Sequence, residues 1–177
     1  MSTVRKLNES ALRDIYGAYM HEAFPPAELK PLAVMLRLME RGRYLCYGYY
    51  RNGRLAAYAF FYRHDSRVLL LDYFAVTPEL RGRGVGSAFL AALDAVLGGV
   101  CILGEVEMPD SHDAGLNAMR LRRIAFYERA GFSLTGAACR LYGVRYAIIA
   151  RRLQRPCGVT LSRKTEMKKE QTRAARS

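Results

Sequence analysis

The residues best suited to chemistry lie in a stretch rich in glycine and arginine, Arg81-Gly82-Arg83-Gly84-Val85-Gly86, followed by Ser87. It stands between an apolar, β-branched run over 68–76 and a segment over 85–97 with apolar residues at helical spacing. Glycines permit backbone conformations that other residues resist, and their small size lets a ligand approach the main chain. The first amides of the following helix have no partner within it and lie at its positive dipole end. The stretch therefore predicts an anion site, best suited to a phosphate or pyrophosphate.

Two common nucleotide-binding motifs do not fit this loop. A Walker loop requires Gly-x-x-x-x-Gly-Lys-Ser/Thr, which the sequence lacks. A Rossmann fingerprint places Gly-x-Gly-x-x-Gly directly after the strand, whereas here residues 77–80 intervene and the glycines fall as Gly-x-Gly-x-Gly. A tight structural turn remains the alternative interpretation of the loop.

Three carboxylates on predicted strands are candidates for acid–base chemistry. Asp72 lies on the central strand, and strict alternation would put it on the same face as Leu70 and Phe74. Glu105 and Glu107 share one face of a later strand. A buried carboxylate needs a partner, so a structural salt bridge is the alternative for each.

The four cysteines have no CxxC or other metal-ligand spacing, and no metal site is predicted.

The pattern along the chain predicts a mixed α/β single domain. Asn52-Gly53 between two aromatic runs predicts a β-hairpin. The predicted elements are a strand over 3–7, helices over 9–22 and up to 41, strands over 44–50, 55–62 and 68–76, a helix over 85–97, a strand over 100–106, a helix over 117–130, and closing strands over 132–134 and 140–153.

The chain has 177 residues and a formal net charge of +12. Residues 151–177 hold nine Lys or Arg against two Glu, and the apolar periodicity ends near 154. We therefore predict one domain over 1–153 and a disordered basic tail over 154–177, which could contact nucleic acid through phosphates.

No apolar stretch approaches the ~20 residues of a membrane span, and the first ten residues lack an apolar signal core. We expect no membrane association and a cytoplasmic location.

Three motifs in order resemble the GNAT superfamily of acyl-CoA N-acyltransferases. The first is Arg-x-x-Gly-x-Gly, carried by Arg81, Gly84 and Gly86. The second is Leu103-Gly104-Glu105-Val106, which is similar to the family's Glu-Val strand. The third is the segment 123–132, RIAFYERAGF, which resembles the hallmark A-x-x-(F/L)-Y-E-x-x-G-F. The resemblance spans about residues 2–153.

This resemblance implies a single domain with a central mixed, mostly antiparallel sheet flanked by about four helices. It also implies acetyl-CoA as cosubstrate. The backbone of Phe74, Ala75 and Val76 would pair with pantetheine, and the amides of Arg81, Gly82, Arg83, Gly84, Val85, Gly86 and Ser87 would hold the pyrophosphate. Arg120 and Arg123 stand where the family often has Asn and a small residue. Either a pantetheine hydrogen bond is lost there, or these arginines reach the phosphates of coenzyme A.

By the same resemblance, Tyr127 occupies the position of the general acid that protonates the sulfur of coenzyme A. Glu105 ranks first as the base and Asp72 second. The expected function is acetyl transfer to a primary amine of a small molecule or peptide, and the nearby acidic groups favour a cationic amine. The alternatives are a protein or ribosomal-protein acetyltransferase, supported by the basic tail, and a non-catalytic module that binds coenzyme A or nucleic acid. The oligomeric state is left open between monomer and homodimer.

Overall fold

Apolar and aromatic runs form the strands of one sheet in the computed structural model, which describes residues 1–141 and 143–152. The strands in this part of the chain are β1 (Ser2–Lys6), β2 (Tyr44–Arg51), β3 (Arg54–Arg63), β4 (Val68–Val76), β5 (Cys101–Glu107), β6 (Phe132–Leu141) and β7 (Val144–Arg152). Their spatial order is β1-β2-β3-β4-β5-β7-β6. Strands β4 and β5 pair in parallel, and the other neighbours pair antiparallel. The predicted mixed, mostly antiparallel sheet is confirmed.

Helices cover both faces of the sheet. They are α1 (Glu9–Ile15), which continues through a π-helical turn (Tyr16–Met20) into α2 (His21–Ala23), then α3 (Leu32–Glu40), α4 (Val85–Leu97) and α5 (Ala114–Arg129). The side chain of Asn8 caps α1 by accepting from the Ala11 amide at 3.0 Å. Asp113 caps α5 in the same way, by accepting from the Leu116 amide at 2.9 Å. This cap starts α5 three residues before the predicted position.

Two apolar cores lie on opposite faces of the sheet, because successive side chains of a strand point to opposite sides. The first face is covered by α1 and α3, and its core includes Leu12, Met35, Phe60 and Leu70. The second face is covered by α4 and α5, and its core includes Phe61, Leu71, Phe89 and Leu93. Below, these are called the α1/α3 face and the α4/α5 face.

The two predicted hairpins had different outcomes. Asn52 and Gly53 adopt positive φ angles of 50° and 78°, which confirms the predicted tight turn between β2 and β3. The closing hairpin was placed wrongly, because strands were predicted over 132–134 and 140–153, whereas β6 runs through Phe132–Leu141 and β7 begins at Val144. Gly136, with φ +75°, lies inside β6, where the register shifts between Leu134 and Ala138. This is a β-bulge, a device that keeps the strand in the sheet while bending it.

The predicted basic tail, residues 154–177, lies outside the described residues. Within the described part of the chain, no helix combines the length and the apolar character needed to cross a bilayer.

Candidate active site

The glycine-rich loop joins β4 to α4 through a single 3-10 turn, Pro78–Leu80. Gly82 and Gly84 have φ angles of +73° and +72°, and an added Cβ at either would meet no atom within 4 Å. Glycine is therefore needed at these two positions for the backbone conformation and not for lack of space. Gly86 differs, because its Cβ would lie 3.2 Å from the Phe126 ring. Small size at Gly86 lets α4 approach α5 closely.

The start of α4 faces an open cleft. The first helical hydrogen bond runs from the Ala88 amide to the Gly84 carbonyl at 3.1 Å, so the amides of residues 85–87 precede the ladder. A cleft of about 550 Å³ opens here, between the loop and the helical segment at residues 22–23. Its lining comprises Glu22, Ala23, Phe74, Ala75, Val76, Leu80, Arg81, Gly82, Gly84, Val85, Gly86, Ser87, Phe126 and Arg129. We call it the loop cleft.

The predicted loop residues are thus brought together, with one exception. Arg81 lines the loop cleft, and its guanidinium lies 3.6 Å from the carboxylate of Glu22. Its Nε also donates to the Val76 carbonyl at 3.3 Å. Arg83 is exposed and is not among the residues that line this cleft.

Strands β4 and β5 separate halfway along their length. Their parallel pairing covers Val68–Leu70 with Cys101–Leu103. Next, β4 carries a bulge against β3, because Phe60 faces Tyr73 while Phe61 faces Leu71. Asp72 is the extra residue. Beyond it, Phe74–Val76 remain paired with β3, and the edge that faces β5 is available to an extended ligand.

The bulge corrects one part of the prediction for Asp72, namely that it shares a face with Phe74. Leu70 and Tyr73 both pack in the core of the α1/α3 face, whereas Leu71 and Phe74 pack against the core of the α4/α5 face. Asp72 contacts Tyr44, a member of the first core. It therefore shares a face with Leu70, as predicted, but not with Phe74, because the extra residue shifts the alternation.

A second cleft, of about 450 Å³, occupies the gap between the separated strands. Its lining comprises Ala23, Phe24, Pro25, Glu28, Lys30, Leu71, Asp72, Tyr73, Phe74, Gly104, Glu105, Glu107, Leu116, Met119, Arg123, Tyr127, Leu141, Tyr146 and Ile149. Ala23 and Phe74 line both clefts. The two clefts therefore meet where β4 leaves β5. We call the second one the strand cleft.

Tyr127 reaches the strand cleft from α5. Its ring packs edge-on against Phe74, Phe126 and Phe132, with centroid distances of 6.4, 5.1 and 5.3 Å. Burial raises the pKa of the Tyr127 phenol to about 12, and the charge of Arg123 opposes this shift. The phenol therefore stays protonated at any physiological pH, as a donor in the cleft must.

Both carboxylate oxygens of Asp72 are already engaged. Oδ1 lies 2.8 Å from Nζ of Lys30, and Oδ2 accepts a hydrogen bond of 2.6 Å from the Tyr44 hydroxyl. The Asp72 side chain is 2% exposed. Burial, followed by the charge of Asp72, raises the pKa of Tyr44 well above its usual range. The phenol thus remains a donor to the carboxylate.

Glu105 and Glu107 differ in their surroundings. Glu105 lines the strand cleft, with the Cys139 thiol 4.0 Å from its Oε1. Glu107 Oε2 lies 3.1 Å from Nε of Arg120 and 3.7 Å from a guanidinium nitrogen of Arg123. Glu107 is therefore neutralised by cations on α5.

Two arginines of α5, Arg120 and Arg123, are engaged with acidic groups beside the strand cleft. Arg120 is 8% exposed, donates to the Met108 carbonyl at 3.0 Å and lies 3.7 Å from Asp110. It is not among the residues lining either cleft, which argues against a role in binding cofactor phosphates. Arg123 lines the strand cleft and not the loop cleft.

The residues of the strand cleft that sequence analysis missed include Glu28, Lys30, Tyr73 and Tyr146. The Tyr146 hydroxyl, on β7, donates to Glu28 Oε1 at 3.2 Å. Burial, and then the nearby Glu28 charge, raises the pKa of Tyr146. Residues 28 and 146 are far apart in the chain, so no local pattern could have joined them.

Within residues 1–141 and 143–152, no group of three or more His, Cys, Asp or Glu side chains is arranged to hold a metal ion.

Comparison with known proteins gives the following. The sequence model described as "Acetyltransferase (GNAT) domain" matches residues 42–134. No curated protein sequence matches the chain. A GNAT-family protein from Bacteroides thetaiotaomicron superposes with a TM-score of 0.69 at 20% identity, covering 97% of this chain and 94% of that one.

Two further solved structures are similar. The ribosomal-protein-S18-alanine N-acetyltransferase from Escherichia coli has a TM-score of 0.62 at 23% identity, covering 91% of this chain and 100% of that one. An aminoglycoside 6'-N-acetyltransferase complexed with coenzyme A has a TM-score of 0.61 at 13% identity, covering 87% and 99%. At these identities the likeness shows a shared fold.

Proposed function

Because this chain belongs to the GNAT acetyltransferase family, whose cosubstrate is acetyl-CoA, we propose that it moves the acetyl group directly to a primary amine of a small molecule or peptide. The observation that carries this proposal is the meeting of the two clefts at Ala23 and Phe74. A thioester entering from the loop cleft and an amine entering from the strand cleft would meet there. Direct attack then needs no covalent acyl-enzyme.

The loop cleft fits the polyanionic end of acetyl-CoA. The amides at the start of α4 and the two left-handed glycines form a backbone anion site. Arg81 and Arg129 add positive charge to the lining. The open edge of β4 at residues 74–76 suits the amide-containing pantetheine arm, which would add to the sheet like a short strand.

In the strand cleft, we assign the two proton-handling roles to different residues, Glu105 and Tyr127. The amine nitrogen attacks the thioester carbonyl carbon, and the carbon–sulfur bond then breaks. Glu105, directly or through water, takes the proton that the amine loses. Tyr127 donates to the departing sulfur. With a pKa of about 12, its phenol is a weaker acid than a thiol at ~8.5, so it stabilises the thiolate chiefly as a hydrogen-bond donor.

The charge of the strand cleft favours a cationic acceptor. Four carboxylates and two cationic side chains line it, which leaves a formal excess of two negative charges. The four carboxylates are those of Glu28, Asp72, Glu105 and Glu107, and the two cations are Lys30 and Arg123. This excess of negative charge would attract a positively charged amine to the strand cleft.

The basic tail favours a second candidate, acetylation of a protein such as a ribosomal protein. The E. coli structure of that activity shares the fold at 23% identity. Deleting residues 154–177 separates the candidates. Unchanged kinetics toward small amines, together with lost activity on basic protein substrates, would favour the second.

The test of the proposal combines binding and turnover. Calorimetry with acetyl-CoA, and with NADH as the comparator, measures whether the loop cleft selects the thioester cofactor. A thiol-release assay with a panel of monoamines, diamines and short peptides then measures transfer. Binding of acetyl-CoA without release of thiol for any amine would contradict the proposal.

A further inference from the structure

The loop between α2 and α3, residues 24–31, forms one wall of the strand cleft. We call it the acceptor loop. The hydroxyl of Tyr73 joins two points of it, since it donates to the Glu28 carbonyl at 2.7 Å and accepts from the Lys30 amide at 2.8 Å. The Tyr16 hydroxyl donates to the Lys30 carbonyl at 3.0 Å. The loop is therefore fixed at Lys30 through both of its backbone polar groups.

The side chain of Lys30 adds an ion pair at the same point. Its Nζ lies 2.8 Å from Asp72 Oδ1 and 5.3 Å from the centroid of the Tyr73 ring. The pair is largely shielded from water, because the two side chains are 22% and 2% exposed. A fully buried tyrosine, Tyr44, donates to the other carboxylate oxygen. Removing one partner of such a shielded, hydrogen-bonded pair is destabilising, because it leaves the other charge buried without compensation.

The β4 bulge explains how two successive residues can hold one loop. In a regular strand Asp72 and Tyr73 would point to opposite faces. Because Asp72 is the extra residue of the bulge, both side chains reach the α1/α3 face, where the acceptor loop lies. The irregularity that opens the gap between β4 and β5 therefore also provides the two anchors of the wall that borders it.

We propose that Lys30 is a positioning residue that holds the acceptor loop against the sheet through Asp72, and that Asp72 is the anchor for this loop and not the proton acceptor of the reaction. The proposal rests on the acetyl transfer proposed above. Protonation of Asp72 during turnover would remove its attraction to Lys30 and loosen the wall of the cleft at the moment of attack. Glu105 can accept the proton without that consequence.

The experiment compares Lys30→Met, Asp72→Asn and the double variant with wild type. Lys30→Arg is the conservative rescue. Lys6→Met is the matched control, since it removes the charge of an exposed lysine on β1. Three quantities are measured in the full chain: the acceptor KM, kcat, and deuterium exchange of the peptide that spans residues 24–31. Calorimetry with acetyl-CoA checks that the loop cleft is intact in each variant.

If Asp72 is an anchor, Lys30→Met and Asp72→Asn both accelerate exchange in the acceptor loop. Each raises the acceptor KM by about tenfold, the equivalent of one hydrogen-bonded contact, with kcat within about threefold of wild type. The double variant is no worse than either single one, because the two residues act as a unit. Lys30→Arg recovers most of the loss, and Lys6→Met changes nothing.

Either of two results overturns the proposal. One is a fall in kcat of about 10²-fold or more in Asp72→Asn with unchanged loop exchange, which is the behaviour of a lost base. The other is unaltered loop exchange in Lys30→Met. If the charge variants do not fold, Tyr73→Phe tests the same loop and keeps the ring packing on Phe24 and Phe60. Exchange needs no turnover, so it tests the anchor even if no amine is acetylated.

Discussion

Replacing Tyr127 by phenylalanine removes one hydroxyl and leaves the packing of the ring unchanged. The three aromatic rings around it contact its edges and faces, and a phenylalanine preserves those contacts. We therefore expect a change in the free energy of unfolding of less than about 1 kcal/mol. Affinity for acetyl-CoA should also be unchanged, because the phenol lines the strand cleft and not the loop cleft.

The cost in rate follows from the acidity of the phenol. In the proposed role, with a pKa of about 12, Tyr127 would give the departing thiolate a charge-assisted hydrogen bond and no complete proton. Such a bond contributes about 1.5–3 kcal/mol, which predicts a fall in kcat of roughly 10- to 150-fold. The fall should be the same at every pH from about 7 to 9, because the phenol stays neutral throughout.

The assay is thiol release under saturating acetyl-CoA, with Tyr47→Phe as the matched control. Tyr47 is a buried tyrosine that packs on Phe61 in the core and lines neither cleft. An unchanged kcat in Tyr127→Phe would refute the assignment. So would loss of an alkaline limb of the pH–rate profile near pH 8–9, since that limb would require a phenol far more acidic than the buried one.

Three further outcomes are expected. Gly84→Ala should weaken acetyl-CoA binding about tenfold in calorimetry, because alanine resists the φ of +72° that the loop requires. Arg120→Met should lower the free energy of unfolding by about 1.5–3 kcal/mol in urea titrations, since it removes the closest cation of Glu107 and leaves only the more distant Arg123. Raising the pH through about 10–12 should destabilise the fold by up to about 1.4 kcal/mol per pH unit through Tyr127, because the unfolded phenol loses its proton first. Tyr127→Phe should reduce the alkaline slope by this amount and leave the share of the other buried tyrosines, and an identical slope in the variant would contradict the raised pKa of Tyr127.

Local sequence determined the elements that we propose hold the cofactor. The apolar run of β4, the glycines at 82, 84 and 86 and the helical spacing of α4 act over a few residues, so their pattern predicts strand, loop and helix at the observed bounds. Asn52-Gly53 likewise fixed a hairpin, because both residues tolerate positive φ. The closing hairpin was misplaced because a bulge between Leu134 and Ala138 interrupts the strand pattern, and only pairing with β7 shows that β6 continues through it.

The environment of each acidic group was decided by tertiary structure alone. Nothing near Asp72 in sequence indicates that Lys30 and Tyr44 would engage both of its oxygens. Nor does the sequence show that Arg120 would be held by Glu107 at the strand cleft. These contacts join residues that lie 13 or more positions apart in the chain, so no local sequence pattern reports them. The sequence thus supplied the candidates for the chemistry. The fold determined which of them are available, because a charge in a shielded cleft behaves according to its nearest partners.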